Sequence, residues 1–297
     1  MTFLHDATIA RLQAVANWPE FRDERYTIVD EIGRGGMGTV YLAHDDALGR
    51  EVAIKVSNGV PDAEVERRLQ DEAHILASLE HPGIVPIHDS GRLADGRLFY
   101  VMKRVRGATL PVHLRANAPL SEKLGIFERI CDAVNFAHAH GVVHRDLKPD
   151  NVMIGPFGEV LVMDWGVAKT GAGSEARVIG TRGFMAPEQE RGEEIDLRAD
   201  VYSLGAVLAW LAGDRPSRPI RAICGRAMAA DPRDRYPDAA SLAADVSRFR
   251  AGHAVDAHHE SLLERAGRFA RTYRAAIFLI LGYIVMRALV AYLSDRS

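Results

Sequence analysis

From Tyr26 onward the chain alternates apolar and polar positions with the two-residue period of strands. YTIVDEI and TVYLAHD flank a glycine-rich turn, DALGR makes a second turn, and EVAIKV follows. This spacing predicts an antiparallel meander. The period then lengthens. In PDAEVERRLQDEAHILASLE, Val65, Leu69, Leu76 and Leu79 recur at multiples of three or four and predict a helix with one apolar face, and Pro61 suits its start. GIVPIHDSG and RLFYVMKRV read as two more strands. After Gly107 helices dominate. SEKLGIFERICDAVNFAHAHG has Ser121 as its predicted N-cap, carries Leu124, Ile130, Val134 and Ala137 on one side, and ends at Gly141. A small hairpin, NVMIGPFGEVLVMDWG, comes next. RADVYSLGAVLAWLAG is almost wholly apolar and so predicts a central helix, and PDAASLAADVSRFR closes the globular part. Residues 1–25 read as a partly helical lead-in. A strand-rich part followed by a helix-rich part is an α+β pattern.

Composition changes this picture little. A length of 297 residues suits two lobes, and 47% apolar with 26% charged residues is a globular balance. A net charge of −3 gives no pull toward nucleic acid. Cys131 and Cys224, the two cysteines, make neither a disulfide framework nor a zinc site and fit a reducing compartment. MTFLHDATIA has no basic or long apolar run, so no secretory signal is expected. His138, His140 and the pair His258–His259 find no matching ligands, so no metal site is expected from them.

Three stretches carry candidate chemistry. GRGGMGTV places Gly33, Gly35 and Gly38 at G-x-G-x-x-G spacing, followed by Val40. The chain then alternates like a strand, so the loop is a hairpin tip, not the start of a dinucleotide-binding helix. On these residues alone it reads equally as a cover for phosphates or as an ordinary hairpin with glycines at positive φ. In VAIKV, Lys55 shares a face with Ala53, opposite Val52 and Ile54. Glu72 lies three residues after Leu69 and four before Leu76, on the apolar face of its helix. Buried lysine needs a partner, and Glu72 is the expected one. HRDLKPDN and MDWG bracket the small hairpin, so Asp146, Asn151 and Asp164 are expected to converge on one cleft. Asn151 and Asp164 are oxygen donors suited to Mg²⁺. Asp146 could accept a proton from an attacking hydroxyl, and Lys148 could balance charge on a moving phosphoryl group.

Taken with GTRGFMAPE, these motifs resemble the eukaryotic-type (Hanks-type) bacterial serine/threonine protein kinase family, in its membrane-associated branch, over residues 26 to about 250. The resemblance implies a bilobal protein-kinase-like fold. It has a small β-rich N-lobe (26–103), a larger helical but shortened C-lobe (104–252), and a C-terminal helix. It implies that ATP lies under Ile32, Gly33, Arg34, Gly35, Gly36, Met37 and Gly38. Val40, Ala53 and Met153 would sandwich the adenine, and Met102 to Val105 would form the hinge. Lys55, held by Glu72, would contact phosphates. Asp146 and Lys148 would act on the transferring group. Asn151 and Asp164 would hold Mg²⁺ or Mn²⁺. Lys148 marks Ser/Thr specificity, Thr181 would support its loop, Glu188 would pair with Arg235, and Asp200 would brace the catalytic loop. The implied partners are protein substrates bearing Ser or Thr, the chain itself through autophosphorylation at Thr170 or Ser174 gripped by Arg145, a membrane, and a second copy in a homodimer.

Two departures bear on activity. Trp165 stands where the family has phenylalanine and is expected to pack under the helix bearing Glu72. The stretch from Leu211 to Arg235 is short enough to lack a substrate-docking helix. That shortening carries the alternative reading, a nucleotide-binding pseudokinase scaffold. The complete set Lys55, Glu72, Asp146, Asn151 and Asp164 favours activity, and Lys148 with MAPE favours protein over small-molecule substrates.

AAIFLILGYIVMRALVAYL, residues 275–293, holds one charge, Arg287. As a helix it would be about 28 Å long, near the thickness of a hydrocarbon core. Arg265, Arg268, Arg271 and Arg274 precede it in a basic segment, 253–274. The expectation is a single-pass cell-membrane protein with a cytoplasmic kinase domain and no external sensor. The alternative is an amphipathic or self-associating helix on a cytoplasmic protein.

Overall fold

The computed structural model describes residues 18–22, 24–35, 38–58, 63–114, 118–165, 169–170, 181–258, 265 and 273–294. Five strands form one antiparallel sheet: β1 (Tyr26–Arg34), β2 (Gly38–Asp45), β3 (Arg50–Ser57), β4 (Ile87–Arg92) and β5 (Leu98–Lys103), in the order β1-β2-β3-β5-β4. Two register shifts in β1 fall at Val29 and Ile32. A bulge residue has no partner and turns outward, and these two are 48% and 52% exposed. The alternation in β3 sorts its residues as the sequence requires. Val52, Ile54 and Val56 enter an outer core with Tyr26, Tyr41 and Val101, against which Trp18 and Phe21 pack. Ala53 enters the main core with Tyr100 and Met102. The lead-in is therefore packed where it is described. Phe21 meets Phe99 edge-on at 5.0 Å, and Arg25 pairs with Asp45 at 3.2 Å.

Helix α1 (Ala63–Ser78) docks on the inner face of the sheet through Leu69 and Leu76, while Leu79 follows its end. Each such buried side chain contributes about 1.5–3 kcal/mol. Pro61 lies outside the described residues, as does the side chain of Val65.

Past the hinge come β6 (Ala108–Thr109), α2 (Leu110–His113), α3 (Leu120–Ala139) and β7 (Val142–Val143), then β8 (Val152–Ile154), β9 (Val160–Val162) and β10 (Lys169–Thr170). Further helices are α4 (Pro187–Glu190), α5 (Arg198–Ala212), α6 (Arg218–Ala227), α7 (Ala239–Arg250) and α8 (Arg274–Ser294). Leu124, Ile130, Val134 and Ala137 of α3 are all buried. Its expected cap at Ser121 is incorrect. The helix starts at Leu120, with Pro119 as N-cap and no side-chain capping bond. The fixed φ of proline already sets the entry, which leaves Ser121 inside the first turn. Gly141, at φ 75°, provides the left-handed turn after the helix ends. Helix α5 is buried over most of its surface and α7 covers α3 through Leu242 and Val246, so the fold reaches Val255. Helix α6 and one 3₁₀ turn, Pro232–Asp234, are the elements between α5 and α7, the stretch the sequence marks as short.

Helix α8 spans all of 275–293. The expected crossing is not supported: among the described residues no helix is long and apolar enough to cross a membrane.

Candidate active site

The glycine motif is the β1–β2 hairpin tip. Gly33 faces Val40 in the ladder, and the Gly35 amide donates to the Gly38 carbonyl at 2.9 Å. A Cβ at Gly38 would lie 2.6 Å from the Val56 carbonyl oxygen, so the neighbouring strand requires glycine there. Gly33 and Gly35 are not at positive φ, and a Cβ would clear the protein by 3.8 and 3.9 Å. Internal sterics therefore do not explain these two glycines, and both border the cavity described next. Asn58 steadies the tip by donating to the Gly35 carbonyl at 2.6 Å. Gly36 and Met37 lie outside the described residues.

Beneath the hairpin is a cavity of about 280 Å³. Val40, Val85, Met102 and Met163 supply apolar wall, while Lys55, Glu72 and Asp164 make one charged end. Arg34 also borders it, whereas Ile32, Ala53 and Met153 are not in its lining. Ala53 sits just behind, 4% exposed, and Met153 is half-buried on β8. Lys55 Nζ donates to both carboxylate oxygens of Glu72, at 2.8 and 2.7 Å, and lies 3.7 Å from Asp164 Oδ1. The predicted pair exists and is buried.

The loop 144–151 is held from below. Asp200 on α5 is fully buried and accepts the amides of His144 and Arg145, each at 2.8 Å, and its Oδ2 lies 2.8 Å from His138 Nε2. Burial pushes its carboxyl up, but the His138 hydrogen bond, the charges of His138 and His144 and the Arg145 amide together hold it below the usual carboxylate range. His138 is thus a brace, joining a network the sequence assigned to Asp200 alone. Among the described residues, Arg145 (φ 72°) and Asp164 (φ 59°) are the non-glycine residues in the left-handed region. Such strain persists only where surroundings impose it, and it concentrates at functional sites.

Both oxygens of Asp146 are engaged. Lys148 Nζ donates to Oδ2 at 3.0 Å and to Thr181 Oγ1 at 2.7 Å, and Thr181 donates to Oδ1 at 3.0 Å. Asn151 Nδ2 donates to the Asp146 carbonyl at 2.8 Å and to Oδ2 at 3.3 Å, leaving Oδ1 as the atom it can offer a cation. The Met163 amide donates to the Asn151 carbonyl at 2.7 Å, tying the segment of Asp164 to the same loop. Asp164 remains half-exposed toward the cleft. Trp165 is buried, donates Nε1–H to the Val162 carbonyl at 3.1 Å, and sets its ring 4.6 Å from His144.

Three contributors had no role assigned from sequence. His144 is fully buried between Asp200, Trp165 and the Met163 carbonyl. Gln189 Nε2 donates to the Arg145 carbonyl at 2.6 Å. Tyr100 lines the cavity and shares the strand parity of Met102, the one signal the sequence offered for it. Burial lowers the pKa of Arg145, and among the described residues its Nε has no hydrogen-bond partner. The candidate phosphorylation site Ser174 and the side chain of Thr170 lie outside the described residues.

A strand-built lobe over a helical lobe, with this cleft between them, defines a protein kinase fold. The protein kinase domain family matches residues 26–230, and the chain belongs to that family. It is 37% identical over 280 residues to the serine/threonine-protein kinase PknB of Mycobacterium leprae, covering 80% of this chain and 45% of that protein. PknB of Mycobacterium tuberculosis is 35% identical over 297 residues, 84% of this chain and 47% of that protein. The serine/threonine-protein kinase PknD of Chlamydia caviae is 32% identical over 293 residues, 77% and 31%. The chain spans about half the length, or less, of these curated relatives.

Proposed function

We propose that the chain is an ATP- and Mg²⁺-dependent serine/threonine protein kinase that also phosphorylates itself. The observation that carries this reading is the meeting of Lys55, Glu72 and Asp164 at one end of a cavity roofed by the glycine hairpin. The residues fit the ligand. The apolar walls suit an adenine, the two unexplained glycines leave room for phosphates, and Asn151 Oδ1 with the Asp164 carboxylate is a hard oxygen set. Bound Mg²⁺ would neutralise phosphate charge between those two residues. Lys55 reaches toward phosphate oxygens while Glu72 holds it. The hinge backbone from Met102 to Val105 reads the adenine edge. Asp146, fixed by Lys148, Thr181 and Asn151, orients the substrate hydroxyl and accepts its proton, and Lys148 stabilises charge on the transferred group. Arg145 is the residue that would grip a phosphate on Thr170 or Ser174.

The test is radiolabelled ATP with the full chain and Asp146→Asn, acting on itself and on a generic basic protein, with intact mass read in parallel. Transfer should fall by roughly 10²–10⁴-fold in the variant. Equal incorporation by both forms removes Asp146 from the role given it, and none by either despite nucleotide binding favours the pseudokinase scaffold.

We further propose that α8 attaches the chain to a membrane, with the catalytic lobes on the cytoplasmic side. The consecutive residues Phe278, Leu279, Ile280 and Leu281 are each more than half exposed, so the helix offers apolar surface on every side. The four arginines from Arg265 to Arg274 suit an anionic inner leaflet. Membranes washed in alkaline carbonate should retain the full chain and release a form truncated before Arg274. Release of both removes the attachment.

A further inference from the structure

Asn58 is the first residue past β3, and an asparagine at the end of a strand ordinarily bonds within its own turn. This one reaches across the chain instead. Its Nδ2 donates to the Gly35 carbonyl at 2.6 Å, 23 positions away, and its Oδ1 accepts the Thr39 hydroxyl at 2.9 Å, 19 positions away. The two bonds fix each other. The Gly35 carbonyl only accepts, so the amide must turn its Nδ2 there, which leaves Oδ1 for a donor. Thr39, 4% exposed on β2, supplies that donor.

These bonds fall where the proposed ligand would place its phosphates. Gly35 and Gly38 line the cavity beneath the hairpin, and Asn58 does not. Each glycine carries a carbonyl, and a carbonyl oxygen turned toward an anion repels it. Both are committed elsewhere. The Gly38 carbonyl takes the Gly35 amide at 2.9 Å, and the Gly35 carbonyl takes Asn58, a side chain off the cavity lining. Gly38 is held against the same strand end: it stands opposite Ser57 in the ladder, and a side chain there would run into the Val56 carbonyl. The described part of the tip is thus tied to the strand that carries Lys55.

We infer that Asn58 is a positioning residue for the phosphates of the nucleotide: with Thr39 fixing its orientation, it holds the Gly35 carbonyl out of the anion's way and keeps that part of the hairpin tip set over the cavity before a ligand arrives. A site already arranged costs less to fill. This deepens the ATP reading above and rests on it.

The test uses the full chain as wild type, Asn58→Ala, Thr39→Val, Thr39→Ser and the double variant Asn58→Ala with Thr39→Val. Calorimetry reads two ligands: a non-hydrolysable ATP analogue with Mg²⁺, and adenosine, which has the ring and sugar without phosphate. Asn58→Ala should weaken the analogue by about three- to tenfold and adenosine by less than about twofold. Its melting temperature should stay within about 3 °C of wild type. Thr39→Val keeps the shape and loses the donor, so it should weaken the analogue about threefold, while Thr39→Ser keeps the donor and should stay within about twofold of wild type. In the Asn58→Ala background Thr39→Val should add less than about 1.5-fold, because Thr39 acts through Asn58. Unchanged affinity for the analogue in Asn58→Ala overturns the role. So does an equal loss for adenosine, which marks a general loosening of the lobe. A Thr39→Val penalty that persists in full without Asn58 overturns the part given to Thr39. A wild-type chain that binds neither ligand fails a different way: it removes the nucleotide reading itself, and the asparagine's role with it.

Discussion

Two buried ion pairs, one in each lobe, differ in what they have left to give. Arg235 and Glu188 are 0% and 5% exposed and pair in a bidentate fork at 2.6 and 2.7 Å. The remaining N–H groups of Arg235 go to the carbonyls of Ala229, Arg198 and Ala230. All five donors are committed. Lys55 and Glu72 pair as closely, at 2.8 and 2.7 Å, but among the described residues the third N–H of Lys55 has only Asp164, at 3.7 Å, beyond hydrogen-bonding range. The first pair is architecture, since it closes α4 against the loop before α7 with nothing to spare. The second faces a cavity with donor capacity in hand. Identical chemistry thus serves stability in one place and ligand binding in another, and the count of unused donors tells them apart.

The larger test of this contrast is Arg235→Leu. It strands the Glu188 carboxylate and three carbonyls, and should cost about 3–5 kcal/mol of unfolding free energy in urea titrations. A midpoint equal to wild type would show that the fork is not structural. The smaller effect comes from the double variant Lys55→Met with Glu72→Leu. Replacing a whole buried pair with apolar side chains is commonly near neutral, so stability should change by no more than about 1 kcal/mol while ATP binding is lost. A loss of stability matching that of Arg235→Leu would erase the distinction between the two pairs.

Much of this was legible in the chain. The two-residue alternation of VAIKV put Ala53 and Lys55 on one side, and the structure divides them from Val52 and Ile54 between two cores. The spacing of Glu72 between Leu69 and Leu76 put it inward, and it meets Lys55 there. Cap chemistry was read less well. At α3 the proline before the helix, not Ser121, sets its start, because a rigid φ outweighs a capping hydroxyl that arrives two residues late. The histidines at 138 and 144 gave no local sign of their use. His138 reaches Asp200 from another helix, 62 positions away, and no periodic pattern encodes such a meeting.

By itself, the sequence determined the order of strands and helices, the inward faces, and the ordered motifs that mark the kinase family. These are short-range properties, written in period and spacing. Only the tertiary structure decided which polar groups share a partner: that His138 meets Asp200, that Asp146 is held by Lys148, Thr181 and Asn151, and that Arg235 spends every donor. The reason is physical. A buried polar group must be satisfied by whatever the fold brings within about 3 Å, and that neighbour is chosen by packing across the chain, not along it.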